Sequence, residues 1–347
     1  MNILLLVKHF DFGGAENHVC ELANELVREG ENVLIVTGKG RQRQKLVREV
    51  KQHFVLFYEW NTVLLVFKIF NIVKREKIDV IHAHQRFPIL IATLAGILCK
   101  IPTVATVHGD SRHDLKSRFV KKRLTSIIFI NKKVFNSYQN SSLIGNKINF
   151  IPNGFPLPAE NIGGLSSNAN ETTDNYGDKN DIKTVVATES RIQRNPKRIF
   201  YVSRLDKRHG KLLEMIIKEV MPVLKKSYPE AELHIVGEGK GLKITSELLS
   251  SPFLNSLKNS VSLENYSENI YSLYHKADLV MGVGRVAGES LINGVPLLSI
   301  KSNHLGEIIT RENFSKLLFT NYVAVDSKPP EPKRVIEILT DFFVTVR

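Results

Sequence analysis

Two cysteines in 347 residues leave no disulfide framework. Both Cys20 and Cys99 fall in apolar helical patterns, which predicts buried, reduced thiols in a cytosolic protein. Long hydrophobic runs are missing too. None approaches the roughly 20 apolar residues that span a bilayer, and the longest, residues 62–73, is interrupted by Lys68 and reads as a buried helix. The first residues offer only the five-residue apolar run 3–7, so a first strand is expected there and not a signal peptide. No aromatic-interleaved stacking platform or recognition module is present, so no nucleic-acid partner is expected. Acidic residues are the scarcer sign, 35 Asp/Glu against 48 Lys/Arg, for a net charge of +13. The deficit is one-sided: residues 1–150 hold 23 Lys/Arg against 12 Asp/Glu, the rest 25 against 23. A basic half of this kind implies an anionic partner surface.

What is present is a globular composition, 43% apolar and 24% charged, at a length that predicts two domains. Apolar runs at 3–7, 33–37, 54–57, 79–82, 103–107, 133–136 and 148–151 read as strands, with helices over 62–74, 89–98 and 116–129 among those between them. Residues 152–158 hold three prolines and a glycine, a punctuation mark. A polar stretch of low periodicity, 160–195, follows and reads as an insertion beside a hinge. Strand–helix alternation then resumes, with strands at 198–203, 231–236, 261–263, 278–281 and 296–300, and helices at 212–224 and 332–346. The expected architecture is α/β: two Rossmann-like doubly wound domains facing each other across a cleft. The boundaries expected are 1–152 for the first domain, 153–196 for hinge and insertion, 197–330 for the second domain and 331–347 for a C-terminal helix.

The stretch 278–300 organises the second half. An apolar run breaks at Gly282, Gly284 and Arg285, a helix-like segment 286–293 follows, and a second apolar run begins after Gly294. Glycines admit close backbone approach, and a helix start suits a diphosphate. Glu289, one turn inside that helix, is placed to accept hydrogen bonds from ribose hydroxyls. His82 and His84 alternate along one strand and share a face. With His108 and His113 they invite a zinc reading, but no carboxylate or cysteine stands at ligand spacing, so no metal is expected.

Read in order, Gly13-Gly-Ala-Glu16, Asp79-Val-Ile-His-Ala-His84, Thr106-Val-His-Gly109, Ile151-Pro-Asn-Gly154, Ser203-Arg-Leu-Asp206, His234-Ile-Val-Gly-Glu-Gly239 and Gly284-Arg-Val-Ala-Gly-Glu289 resemble the retaining glycosyltransferases of family 4, which have the two-Rossmann-domain B-type fold. The resemblance covers nearly the whole chain apart from the insertion. It implies transfer of a sugar from a nucleotide-sugar, UDP- or GDP-linked, onto a lipid-linked or saccharide acceptor, with no cofactor and no divalent metal. By that resemblance the second domain holds the donor and the first the acceptor. His108 stands where the family has a histidine close to the transferred sugar, and Glu16 either reaches the sugar or favours its helix N-terminus. Gly13, Gly14, Arg204, Lys207, His209, Gly237, Gly284, Arg285 and Glu289 map to the donor site.

Two positions depart from the family pattern. The first of the family's two glutamates, separated by seven residues, is Met281 here, in a sequence with the variant Gly-x-Gly-Arg loop. The family's phosphate-binding lysine, five residues after the arginine matched by Arg204, is replaced by His209. Arg285 is the expected compensation, with Lys207 and Lys211 as alternatives. In the basic half, Arg112, Lys116, Lys121, Lys122 and Arg123 interleave with Leu115, Phe119 and Val120. They predict electrostatic docking on an anionic membrane, at the cytoplasmic face. Two other functions fit the same residues: a nucleotide-sugar epimerase of this fold, and a non-catalytic protein that binds an anionic surface.

Overall fold

A computed structural model describes residues 1–11, 13–108, 115–142, 144–155, 197–265, 273–310, 313–314 and 328–345. The chain divides into two compact units, Met1–Gly154 and Phe155–Arg347.

The first unit is built on β1 (Asn2–Val7), β2 (Asn32–Thr37), β3 (Lys51–Phe54), β4 (Val80–His84), β5 (Thr103–Val107), β6 (Ser126–Phe129) and β7 (Ile148–Phe150). They form one sheet in the order β3-β2-β1-β4-β5-β6-β7, every pair parallel. A parallel sheet is covered on both faces. That is why β1 reads as unbroken apolar residues: Leu4 and Leu6 join one core cluster, Leu5 and Val7 the other. The helices are α1 (Gly14–Arg28), α2 (Thr62–Arg75), α3 (Arg86–Cys99), α4 (Leu115–Arg123) and α5 (Lys132–Gln139). Strand order reverses between β1 and β4, and ligands of such sheets bind at the carboxyl ends of the strands beside that switch. Cys20 and Cys99 are buried and unbridged, as expected.

One stretch differs from the sequence expectation. The single helix expected over 116–129 ends at Arg123, β6 follows, and the expected strand 133–136 is α5. The apolar run Ile127-Ile-Phe129 pairs with β5 and buries Ile127 and Phe129. Asn131 then starts a helix, its side chain accepting from the Lys133 and Val134 N–H groups.

In the second unit β8 (Arg198–Arg204), β9 (Glu232–Glu238), β10 (Val261–Glu264), β11 (Leu279–Gly282), β12 (Leu297–Lys301) and β13 (His304–Ile309) take the order β10-β9-β8-β11-β12-β13. All pairs are parallel except the terminal β12–β13. The expected helix over 212–224 begins earlier, at Lys207, and runs through a π-helical turn, Ile216–Val220, into Met221–Ser227. The C-terminal helix Pro332–Thr345 packs Val335, Leu339, Phe342 and Phe343 into this unit's core. The switch point here lies between β8 and β11. The polar insertion, 160–195, lies outside the described residues.

Candidate active site

At the carboxyl ends of β4 and β5 the first unit gathers histidines. His82 and His84 lie ring to ring at 4.3 Å. Nδ1 of His84 is 3.0 Å from Nε2 of His108, and Nε2 of His82 is 2.8 Å from Oγ1 of Thr106. His18, from α1, completes the group, 5.0 Å from the His108 ring and 5.6 Å from that of His84. Burial, reinforced by repulsion from His18, drives His82 down to about 3. The same two causes, with His82 also repelling, take His108 to about 3. His84, fully buried, is held well below the ordinary range by desolvation and by its histidine neighbours. His82, His84 and His108 are therefore neutral at ordinary pH. His18, His84 and His108 can each offer a nitrogen within 4.8 Å of the others, a set able to hold a metal ion. Sequence reasoning missed His18, which is far from the other two in sequence and carries no motif; His113 lies outside the described residues.

Beside them stands Gln85, also missed. Its side-chain oxygen accepts from the Lys8 N–H at 3.0 Å, and its Nε2 donates to Glu16 Oε1 at 2.7 Å. Its backbone sits at φ 67°, ψ 155°, a region that costs a residue with a side chain about 1–3 kcal/mol. Gln85 thus ties the end of β1, the start of α3 and the first turn of α1 together at the switch point. Glu16 is buried in this arrangement. Gly13 caps α1 in an extended conformation, with no side-chain cap. A Cβ on Gly14 would meet no described atom within 4 Å.

In the second unit, Arg204 ends β8 and lines a pocket of about 400 Å³ with Lys207, Arg208, Lys240, Asp206 and Gly239. Four cations and one carboxylate line it, Arg208 being paired with Asp206 at 3.0 Å, and the remaining excess of positive charge suits a diphosphate. Arg208 and Lys240 were not singled out from the sequence, because neither belongs to a motif. His209 does not line this pocket. It completes the cap of its own helix: Asp206 accepts from the Arg208 and His209 N–H groups, and His209 Nδ1 lies 2.9 Å from Asp206 Oδ1. Slight burial would raise the Asp206 carboxyl, but the His209 backbone N–H, the Arg208 side chain and the Arg208 N–H outweigh it and hold the group at about 2. Gly237 has a packing reason to be glycine, since a Cβ there would stand 2.1 Å from the Ser203 carbonyl oxygen. Gly239 has a stronger one: φ is +142° and a Cβ would lie 2.3 Å from the Leu205 carbonyl.

Gly284, at φ 66°, caps the helix Arg285–Ile292. The Arg285 side chain turns back along this helix, Nε donating to Glu289 Oε1 at 2.6 Å, with its guanidinium 5.4 Å from the Phe155 ring centre. The other Glu289 oxygen accepts from the Tyr274 hydroxyl at 3.0 Å. The pair is buried, with 9% and 4% of the two side chains exposed. Gly288 faces the same Phe155 ring, where a Cβ would stand 2.2 Å away. Met281 is a core residue, fully buried in β11.

The docking run divides. Lys121 is buried, donates to the Tyr138 hydroxyl at 2.5 Å and lies 4.1 Å from the centre of that ring. It therefore cannot meet a membrane, and this expectation is corrected. The helical period places it on the core side of α4, while Lys122 and Arg123 are exposed. Lys116 falls in α4 and Arg112 lies outside the described residues.

The family model for Glycosyltransferase Family 4 matches residues 12–157, and that for Glycosyl transferases group 1 matches residues 184–328. The chain is a family 4-like glycosyltransferase of B-type fold. Among solved structures, a glycosyltransferase from Rickettsia africae aligns over 99% of this chain and 88% of its own, at 15% identity and TM-score 0.68. Alr3699/HepE from Anabaena, in complex with UDP and glucose, aligns over 98% and 89%, at 17% identity and TM-score 0.65. A UDP-GlcNAc 2-epimerase from Methanocaldococcus jannaschii aligns over 98% and 92%, at 12% identity and TM-score 0.61. At such identities the likeness is one of fold. No curated protein matches the sequence.

Proposed function

We propose that this transferase moves a sugar from a UDP- or GDP-linked donor, with retention of configuration, to a lipid-linked or saccharide acceptor at the cytoplasmic membrane face. The observation that carries the donor half is the pocket of Arg204, Lys207, Arg208 and Lys240 at the end of β8. As the glycosidic bond breaks, negative charge grows on the leaving nucleoside diphosphate, and fixed cations stabilise it more in the transition state than in the ground state. The start of the helix Arg285–Ile292 adds N–H groups and the positive end of its dipole. Glu289 keeps acceptor capacity beyond its two internal donors, since an ionised carboxylate has about four acceptor sites; that capacity is what a ribose would use. In the first unit, His108 is the group we assign beside the transferred sugar.

Calorimetric titration tests the donor half. UDP or GDP should bind the wild type and lose about tenfold in affinity on Lys207→Ala, because a charge-assisted hydrogen bond contributes about 1.5–3 kcal/mol. Equal affinity in both proteins would take the diphosphate out of this pocket. Cationic side chains replace a metal in this reading, so turnover should withstand EDTA. A loss that zinc restores would instead assign catalysis to the His18, His84 and His108 set.

A further inference from the structure

We infer that helix α2 and the segment leading into it form an apolar docking face that inserts into the headgroup layer of an anionic lipid bilayer. Helix α2 buries Leu65, Val66, Ile69, Ile72 and Val73 against the core. Its other side is not polar. Val63, Leu64 and Phe67 are 70%, 66% and 57% exposed, and Trp60, one turn earlier, is 83% exposed. Before them the chain alternates: Val55 and Phe57 are buried, while Phe54, Leu56 and Tyr58 face solvent. Tyr58 and Trp60 stack at 5.8 Å. Single exposed apolar residues are ordinary, but seven within fourteen consecutive positions are not, even with Arg43 lying over the Phe54 ring at 3.6 Å.

Charge selects the occupant. Lys68 and Lys74 are exposed on α2, while Lys51 and Arg75 are held by Glu76 at 3.5 and 3.0 Å and Glu59 is exposed beside Trp60; the surrounding half of the chain keeps the balance positive, with 23 Lys/Arg against 12 Asp/Glu. Apolar and aromatic residues on one face, with lysine and arginine beside them, are the pattern of a helix lying in the plane of a membrane interface. A second copy of the chain is the poorer occupant, because a two-fold contact through this face would bring two basic surfaces together. The basic run on α4 adds attraction through Lys122 and Arg123, but Lys121 is buried, so α2 and not α4 is the part that inserts.

The segment leading into α2 follows β3 and so leaves the parallel sheet at its carboxyl edge, the edge that also bears His84 and His108. Phe57, beside the patch, packs edge-on to Phe87 at 6.4 Å, and Phe87 lies in the first turn of α3, two residues after Gln85. Insertion of Trp60 and Leu64 would therefore hold the carboxyl ends of β4 and β5, with His108, close to the lipid surface. That this serves a lipid-linked acceptor rests on the proposed function; the docking itself does not.

Trp60 is the sole tryptophan of the chain, so intrinsic fluorescence reads this face directly. Full-length protein is titrated with vesicles of phosphatidylglycerol and phosphatidylcholine. The expected result is a blue shift of the emission, quenching by bromine-labelled acyl chains, and part of the binding surviving high salt, which purely electrostatic attachment does not. The double substitution Leu64→Asp and Phe67→Asp should weaken vesicle binding about tenfold or more with unchanged circular dichroism and UDP affinity. Unchanged emission at saturating vesicles would overturn the inference, as would full vesicle binding by the double variant. So would a blue shift that follows protein concentration without lipid, alongside a dimer mass in sedimentation. Failure of UDP to bind the wild type would count against the transferase reading alone and leave the vesicle result standing.

Discussion

At the scale of single residues, Gln85 and the Arg285–Glu289 pair carry the sharpest consequences. Gln85→Ala removes an acceptor from Lys8 and a donor to buried Glu16, and is expected to cost about 2 kcal/mol in a denaturant titration. Gln85→Gly loses the same bonds but relieves the positive φ, so it should be about 1 kcal/mol less damaging than alanine. Equal losses would mean that the backbone there stores no strain. From the sequence alone, Glu289→Gln is expected to touch donor affinity only. In the structure it also breaks a buried ion pair, which should cost about 3–5 kcal/mol. Adding Arg285→Met should recover much of that loss, measured as a double-mutant cycle. His108→Ala should lower turnover about a hundredfold while UDP affinity, set in the second unit, holds. An intact turnover number with a raised Michaelis constant would leave His108 a positioning role.

At the scale of elements, the histidine group makes the first unit sensitive to acid. His82, His84 and His108 have folded-state values far below the ordinary 6.5. The unfolded chain therefore binds more protons than the folded one between about pH 6.5 and pH 3, and stability rises with pH across that window. Their contribution is complete above pH 6.5 and is lost as pH falls. The thermal midpoint should drop between pH 6.5 and 4, and His82→Gln should flatten the slope; a slope unchanged in that variant would assign the acid sensitivity to other groups. Elements also mark where sequence reading stops. The parallel strands were legible because burial on both faces leaves unbroken apolar runs, as in β1. The α4–β6–α5 stretch was not, because three apolar residues after a basic amphipathic segment fit a helix as well as a strand, and the Asn131 cap decides only once the chain is folded. The basic run on α4 was legible as charge, but which lysine faces the core depends on packing against Tyr138.

For the whole molecule, two doubly wound α/β units were anticipated from alternation and glycine turns, and the family match agrees with them; the switch points at β1/β4 and β8/β11 and the antiparallel edge strand β13 come from the structure. Candidate site residues were legible where a motif marks them, as at Arg204, Glu289 and His108. They were not where chain-distant residues converge, as His18 does on His84 and Lys240 on Arg204. His209 shows the converse: its position matches a family lysine, yet its local hydrogen bonds make it a helix cap. The central claim is transfer of a sugar with release of a nucleoside diphosphate, and turnover tests it most directly. The protein is incubated with membranes and a panel of UDP- and GDP-sugars, nucleoside diphosphate is measured, and the lipid extract is analysed by mass spectrometry. The account predicts diphosphate release from one donor, an acceptor heavier by one sugar residue, and loss of both in His108→Ala. A donor converted to its epimer without diphosphate release, or no turnover of any donor by folded protein that binds UDP and GDP, would contradict it.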